Sequence, residues 1–271
     1  VAAGVGHYGQ FRAELRSIAY RVSWYESLVE SIEFSIIELS TDLTDVLQSA
    51  LGSAYTIERE LGGGAMARVV DIHPEDPQPR LVTQVVDVLR GGGLAAFPTD
   101  ACYTLGARLD DAGAKQRIID IRRLDDKHHF TLMCADFAQL GQLVQLDNSV
   151  FRAVRAATPG AYTFILPGTP EVPRRLLHAK KKTVGVRIPD HTLVQALLDL
   201  LGEPLLSSSL ILPGETEPRT MGWEIKEDLD HQVDVVVEAG ETPAEPTTVV
   251  DWSDGVPEVI RRGAGDPDRF V

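Results

Sequence analysis

From residue 80 onward the apolar positions follow two periods in alternation. Leu81, Val82, Val85, Val86 and Leu89 share one face of a helix, which Gly91, Gly92 and Gly93 stop. The apolar run over 94–97 ends at Pro98, the pattern of a buried strand that presents Thr99 and Asp100 beyond its end. Helical spacing returns over 111–124, 148–157 and 191–201. Strands are predicted over 130–134, 162–166, 183–189, 204–209, 233–237, 247–251 and 259–263. Interleaving of this kind predicts an α/β fold around a substantially buried sheet.

The first 70 residues do not join this pattern. Over 8–39, apolar residues such as Phe11, Leu15, Ile18 and Val22 recur at helical spacing, and 43–51 offers a second helical piece that Ser40, Thr41 or Asp42 can cap. Residues 55–69 resemble the first strand and glycine-rich loop of a bacterial serine/threonine protein kinase, with Gly62, Gly64 and Ala67 near the required spacing. No strand lysine, catalytic loop or Asp-Phe-Gly metal site follows. The loop therefore lacks the base and metal ligands of phosphoryl transfer and reads as a truncated remnant. Three prolines over 73–80 break regular structure. These features predict a mostly helical extension over 1–70 and a main domain over 71–271.

Composition narrows the classes. Hydrophobic residues fill 44% of the 271 positions, enough for a well-buried core, and no apolar run reaches the roughly 18 residues of a membrane span. Cys102 and Cys134 make no disulfide framework, which predicts a reducing, cytoplasmic setting. The formal charge of −14 argues against indiscriminate nucleic-acid binding by the whole surface. Its distribution is uneven: residues 115–187 hold 13 Lys/Arg against 6 Asp/Glu, a net of +7, whereas 188–271 hold 5 against 18, a net of −13. A localised anion site produces such a basic middle, and so do solvated helix faces.

Candidate chemistry gathers in that middle. Arg122 and Arg123 close the helix predicted over 111–124, where the helix dipole favours cations; the alternative is that they reach past its end toward Thr99. Arg174, Arg175, Lys180, Lys181 and Lys182 form the densest basic run, either a solvated loop or a polyanion patch. Arg187 falls in an apolar strand. A buried guanidinium there needs a carboxylate or phosphate, from the protein or from a ligand. Ser207, Ser208 and Ser209 follow an apolar strand and can donate to phosphate oxygens or satisfy nearby backbone. His128 and His129 are adjacent in an extended segment, so they point to opposite faces and make poor co-ligands; no structural metal is predicted.

With these segments in order, residues 71–270 resemble the YrdC-like superfamily and, within it, the YciO branch. The carriers are Phe-Pro-Thr-Asp-Ala-Cys-Tyr-Thr-Leu-Gly at 97–106, His-Phe-Thr-Leu-Met-Cys at 129–134, Thr-Pro-Gly-Ala-Tyr-Thr-Phe-Ile-Leu at 158–166, Val-Pro-Arg-Arg-Leu-Leu at 172–177, Val-Gly-Val-Arg-Ile-Pro at 184–189 and Pro-Thr-Thr-Val-Val-Asp at 246–251. The resemblance implies a twisted mixed sheet flanked by helices, of the YrdC/RibB-like type, with a basic concave face for nucleotide and RNA. It further implies a nucleotidyltransferase-type activity: synthesis of threonylcarbamoyl-adenylate from L-threonine, bicarbonate and ATP with Mg²⁺, for tRNA modification.

Carried over by position, Thr99 would help hold threonine and Arg187 its carboxylate. Arg122, His128, Thr163, Ser207, Ser209, Thr247 and Arg261 would contact the nucleotide. Arg122 and Arg187 would carry the catalysis, and the Arg174, Arg175, Lys180, Lys181 and Lys182 run would face RNA. Where active synthases carry Lys-x-Arg, this chain has Arg122-Arg123-Leu124. Where they carry Ser-x-Asn, it has Ser209-Leu210-Ile211, with Pro213 in place of another serine. Similar replacements belong to the YciO branch generally. Loss of one preorganised contact costs on the order of 10²- to 10³-fold in rate. The resemblance therefore implies a weak threonylcarbamoyl-AMP synthase; the alternative is a nucleotide-, tRNA- or double-stranded-RNA-binding protein without this catalysis.

Overall fold

A computed structural model describes residues 66–125 and 130–270. Its ten strands form one mixed sheet: β1 (Arg68–Asp71), β2 (Ala95–Phe97), β3 (Thr104–Arg108), β4 (Thr131–Met133), β5 (Tyr162–Pro167), β6 (Thr183–Arg187), β7 (Leu205–Ser209), β8 (Val235–Glu238), β9 (Thr248–Asp251) and β10 (Glu258–Arg261). The spatial order is β1-β8-β2-β3-β7-β4-β6-β5-β9-β10. β8 pairs parallel with both β1 and β2, β4 with β6, and β5 with β9; the remaining pairs are antiparallel. The helices are α1 (Pro79–Arg90), α2 (Ala112–Arg122), α3 (Phe137–Leu143), α4 (Asn148–Ala157), α5 (Thr192–Leu201) and α6 (Gly222–Leu229).

Each face of the sheet has its own core. Val82, Val85, Val86 and Leu89 of α1, with Leu193, Val194, Leu197 and Leu198 of α5, bury against Phe97, Met133, Leu205 and Val235. On the opposite face α2, α3, α4 and α6 cover Ala96, Leu105, Leu132, Phe164, Val186 and Leu206. Neighbours such as Leu132 and Met133, or Leu205 and Leu206, thus serve different cores because side chains alternate along a strand. Strands covered on both sides read as apolar runs, which is why β2 and β6 are visible in the sequence.

Local rules set the ends of the elements that matter for the site. Pro79 opens α1, where its fixed φ suits the first turn and its missing N–H costs nothing. Asp111 caps α2 by accepting the Ala114 N–H at 2.8 Å. At the other end Arg123 takes the left-handed conformation (φ 49°), which stops the helix and lets the Leu124 N–H bond the Ile119 carbonyl at 3.1 Å. Leu124 then packs against the core. Gly106 in β3 pairs with Ala95, and a Cβ there would lie 2.4 Å from the ring of Phe97, two residues along β2.

β1, β3, α3 and α6 are additions to the predicted elements. β3 begins inside a polar stretch and carries Gly106, and α6 is short and rich in charge, so neither shows a clear period. β1 also corrects the domain boundary. Arg68–Asp71 pairs in register with Val235–Glu238, so the sheet reaches back into residues assigned to the 1–70 extension. Only Val70 of this strand is buried, too little for a period-2 signal. Ala67 and Val69, read as part of the kinase-like loop, belong to this edge: the Ala67 N–H donates to Asp230 Oδ1 at 2.8 Å, and Val69 pairs with Val236. The helices predicted over 8–39 and 43–51, and residues 55–65 of the kinase-like stretch, lie outside the described residues. No described helix is long and apolar enough to cross a membrane.

Candidate functional site

The α1/α5 cover ends before the sheet does. Thr131 lies two residues from Met133, and Ser207 two residues from Leu205, on the same sheet face; past the helices they line a cavity instead of packing on apolar side chains. With Thr104, Thr163, Ile165, Gly185, Ser209, Thr247 and Val249 they line a cavity of about 100 Å³, around which stand Arg122, Arg187, Arg261 and Ser208. Gly185 keeps its floor low. A Cβ at Gly185 would come within 3.1 Å of the Phe130 carbonyl and of Thr131 Oγ1.

Three guanidiniums converge here on different partners. Arg187, 4% exposed, donates from Nη2 to Asp100 Oδ1, while its Nε is buried without a partner. Asp100 uses its other oxygen to accept the Asp190 N–H at 3.1 Å. Arg122 donates from Nη1 to Ser208 Oγ at 2.5 Å and from Nε to the Ile211 carbonyl at 3.3 Å. Arg261 donates from Nε to the Thr247 carbonyl and from Nη2 to Thr247 Oγ1, each at 2.9 Å, and Thr247 Oγ1 lies 2.8 Å from Thr163 Oγ1.

The electrostatics follow from these pairings. Among the described residues no carboxylate lines the cavity. Asp100, bonded to Arg187, offsets one of three positive charges, leaving Arg122 and Arg261 with neutral acceptors only. Burial holds both below the ordinary arginine range, helped by the field of Arg261 on Arg122 and of Arg187 on Arg261. Both stay cationic at neutral pH. A ligand with several anionic oxygens is the chemistry that two guanidiniums without a carboxylate partner favour, Arg122 half-buried and Arg261 more exposed. Burial pushes the nearby Cys102 thiol up, against the hydrogen bond of Ser209 and the fields of all three arginines.

Of the residues singled out in the sequence, Arg122, Arg187, Thr163, Ser207, Ser209, Thr247 and Arg261 come together in this cavity. Arg122 does face the cavity instead of merely ending a helix. Ser207 uses its hydroxyl on the Thr131 carbonyl at 2.9 Å. Thr99 is not among the lining residues: its hydroxyl donates to the Cys102 carbonyl at 2.8 Å and accepts the N–H groups of Ala101 and Cys102 at 3.1 and 3.2 Å. That hydroxyl closes the turn carrying Asp100. His128 lies outside the described residues.

The basic run does not line the cavity either. Arg175 donates to the Leu109 carbonyl at 2.7 Å, and Lys181 is tied to Ser253 at 3.0 Å and Asp254 at 3.4 Å. Arg174, Lys180 and Lys182 are exposed. Ser208, read with its two neighbours as a candidate phosphate donor, also lines the cavity, whereas Thr104, Thr131 and Gly185 are site residues that sequence reasoning misses. Their one signal is a polar or glycine position inside an otherwise apolar strand, and each lies within or beside a motif already quoted. Among the described residues no three His, Cys, Asp or Glu side chains gather to hold a metal ion.

Comparison with known proteins places this geometry among relatives. The family model of Sua5/YciO/YrdC, described as "Telomere recombination", matches residues 87–263. The uncharacterized protein YciO of Escherichia coli K12 is 48% identical over 206 residues, which cover 76% of this chain and 100% of YciO. Its crystal structure superposes with a TM-score of 0.74. A threonylcarbamoyl-AMP synthase of Vibrio vulnificus is 34% identical over 157 residues, 57% of this chain and 83% of that enzyme. The crystal structure of Pyrococcus abyssi Sua5 complexed with L-threonine superposes with a TM-score of 0.66 at 26% identity, covering 72% of this chain and 57% of that one.

Proposed function

From the premise that the chain belongs to the Sua5/YciO/YrdC family, we propose that this cavity binds L-threonine beside a nucleotide and slowly forms threonylcarbamoyl-adenylate. The observation that carries the reading is the pair of guanidiniums at the cavity, the half-buried Arg122 and the more exposed Arg261, that only neutral groups accept from. They suit phosphate oxygens. Arg187, with Nε free of any intramolecular acceptor, takes the threonine carboxylate. Thr163, Ser209 and Thr247 add neutral donors, and Mg²⁺ enters as part of the ATP substrate complex.

The chemistry asks mainly for positioning. Threonine nitrogen adds to bicarbonate with loss of water; an oxygen of the resulting carbamate attacks the α-phosphorus of ATP, and pyrophosphate leaves. Guanidiniums already in place stabilise charge building on the departing oxygen. The test is pyrophosphate release by the full chain with ATP, Mg²⁺ and bicarbonate, with and without L-threonine. Threonine-dependent release supports the synthase. Release that ignores threonine, or none at all, overturns it.

The exposed cations Arg174, Lys180 and Lys182 favour a second reading, RNA binding without this chemistry. Changing Lys180, Lys181 and Lys182 together to Ala is expected to lower the salt slope of RNA binding by about two, at roughly 0.7–0.9 per phosphate contact. Lys181 contributes least because Asp254 and Asp251 already engage it. An unaltered slope makes the run a solvated loop.

A further inference from the structure

Of the three guanidiniums at the cavity, Arg187 is the one with a carboxylate partner. Its side chain is 5% exposed and that of Asp100 is 11% exposed, so the pair is shielded from water, where a charge exerts its field at longer range than at the surface. Asp100 is itself fixed from both sides. The Thr99 hydroxyl locks the turn that presents it, and the Asp190 N–H holds its second oxygen at 3.1 Å. Arg122 and Arg261 have only hydroxyls and carbonyls as acceptors, so the positive charge of the cavity is uneven.

We propose that Asp100 is the specificity-determining residue of this cavity: by neutralising Arg187 alone, it divides the site into a dicationic end for polyphosphate and a charge-balanced end for a zwitterionic amino acid. The inference rests on the threonine and nucleotide reading above. Threonine is a zwitterion at neutral pH, so a third bare guanidinium would suit another phosphate oxygen better than it suits an amino acid. Held by Asp100 through Nη2, Arg187 still offers its buried, unpartnered Nε to a carboxylate. Asp100 does not line the cavity; it acts through Arg187.

Charge arithmetic supplies the test. Counting Arg122, Arg187, Arg261 and Asp100, the site carries +2 in the native chain, +3 in Asp100→Asn, +1 in Arg187→Met and +2 again in the double variant. Calorimetric titration with inorganic pyrophosphate should follow that order. One charge at this range is worth about tenfold in affinity, so Asp100→Asn should bind about tenfold tighter and Arg187→Met about tenfold weaker. The double variant should return to within about threefold of the native chain. For L-threonine the same Asp100→Asn change should weaken binding about tenfold, because Arg187 loses its anchor. A merely structural role would not strengthen one ligand while weakening the other.

Unchanged or weaker pyrophosphate binding by Asp100→Asn overturns the proposal. So does a double variant that tracks Arg187→Met, which would mean that Arg187 itself holds pyrophosphate. If Asp100→Asn does not fold, the comparison of Arg187→Met with the double variant decides alone. A native chain that takes up pyrophosphate but not threonine sinks the threonine reading, while the pyrophosphate order still decides whether Asp100 sets the charge. A native chain that takes up neither overturns both.

Discussion

Arg187→Ala is expected to abolish measurable L-threonine binding and to lower the thermal stability of the protein at the same time. The binding loss follows from removal of a charge-assisted donor in a desolvated site, on the order of 10²-fold in affinity. The stability loss follows from Asp100, which would stay shielded while still accepting the Asp190 N–H. Breaking a buried ion pair from one side costs roughly 3–5 kcal/mol, or about 10 °C in melting temperature for a domain of this size. Calorimetry with L-threonine and thermal denaturation check the two halves separately. Unchanged threonine affinity would remove Arg187 from the site. The double variant Arg187→Met with Asp100→Asn should recover most of the stability without recovering threonine, since it replaces both charges with groups of similar shape.

Restoring Leu124→Arg and Ile211→Asn together is expected to raise threonine-dependent pyrophosphate release by at least about 10²-fold, with each regained contact worth on the order of 10²- to 10³-fold. The geometry explains why these positions matter. Leu124 follows the left-handed Arg123 and packs on the core beside the end of α2, and the Ile211 carbonyl is one of the two acceptors that hold Arg122. Ile211 therefore sits next to the guanidinium proposed for phosphate, and Leu124 lies two residues beyond it in the chain. Leu124 is only partly buried, so an arginine there costs about 1 kcal/mol of lost apolar burial. A silent native chain with an active double variant would describe an intact scaffold whose site has been repurposed. Silence in both, with RNA affinity that falls with salt, would favour the binding reading.

Within 71–270 much of the fold is legible in the order of residues. The face of α1 follows from the spacing of Val82, Val85, Val86 and Leu89, and its stop from the glycines after it, because helix period and termination are local properties. β6 is legible with its one charged residue, and the need of Arg187 for a partner follows from desolvation alone. The identity of that partner is not legible. Asp100 lies far from Arg187 in the chain and reaches it because β4 stands between β7 and β6 in the sheet, and β7 adjoins the β2–β3 pair whose loop carries Asp100. Thr99 shows the converse: a polar residue in the strongest motif whose hydroxyl serves its own turn.

The sequence by itself determined the α/β class, the order of most elements, the segments of family resemblance and eight of the residues that meet in the cavity, since each of these is carried by local periodicity, by a contiguous motif or by the resemblance. Only the tertiary structure decided that the sheet reaches back to Arg68, that α1 and α5 leave part of one face uncovered, and that among the described residues Asp100 offsets one of the three guanidiniums there. The physical reason is that charge balance and exposure belong to a place and not to a residue. They are sums over whatever the sheet order brings together, and no spacing along the chain encodes that sum.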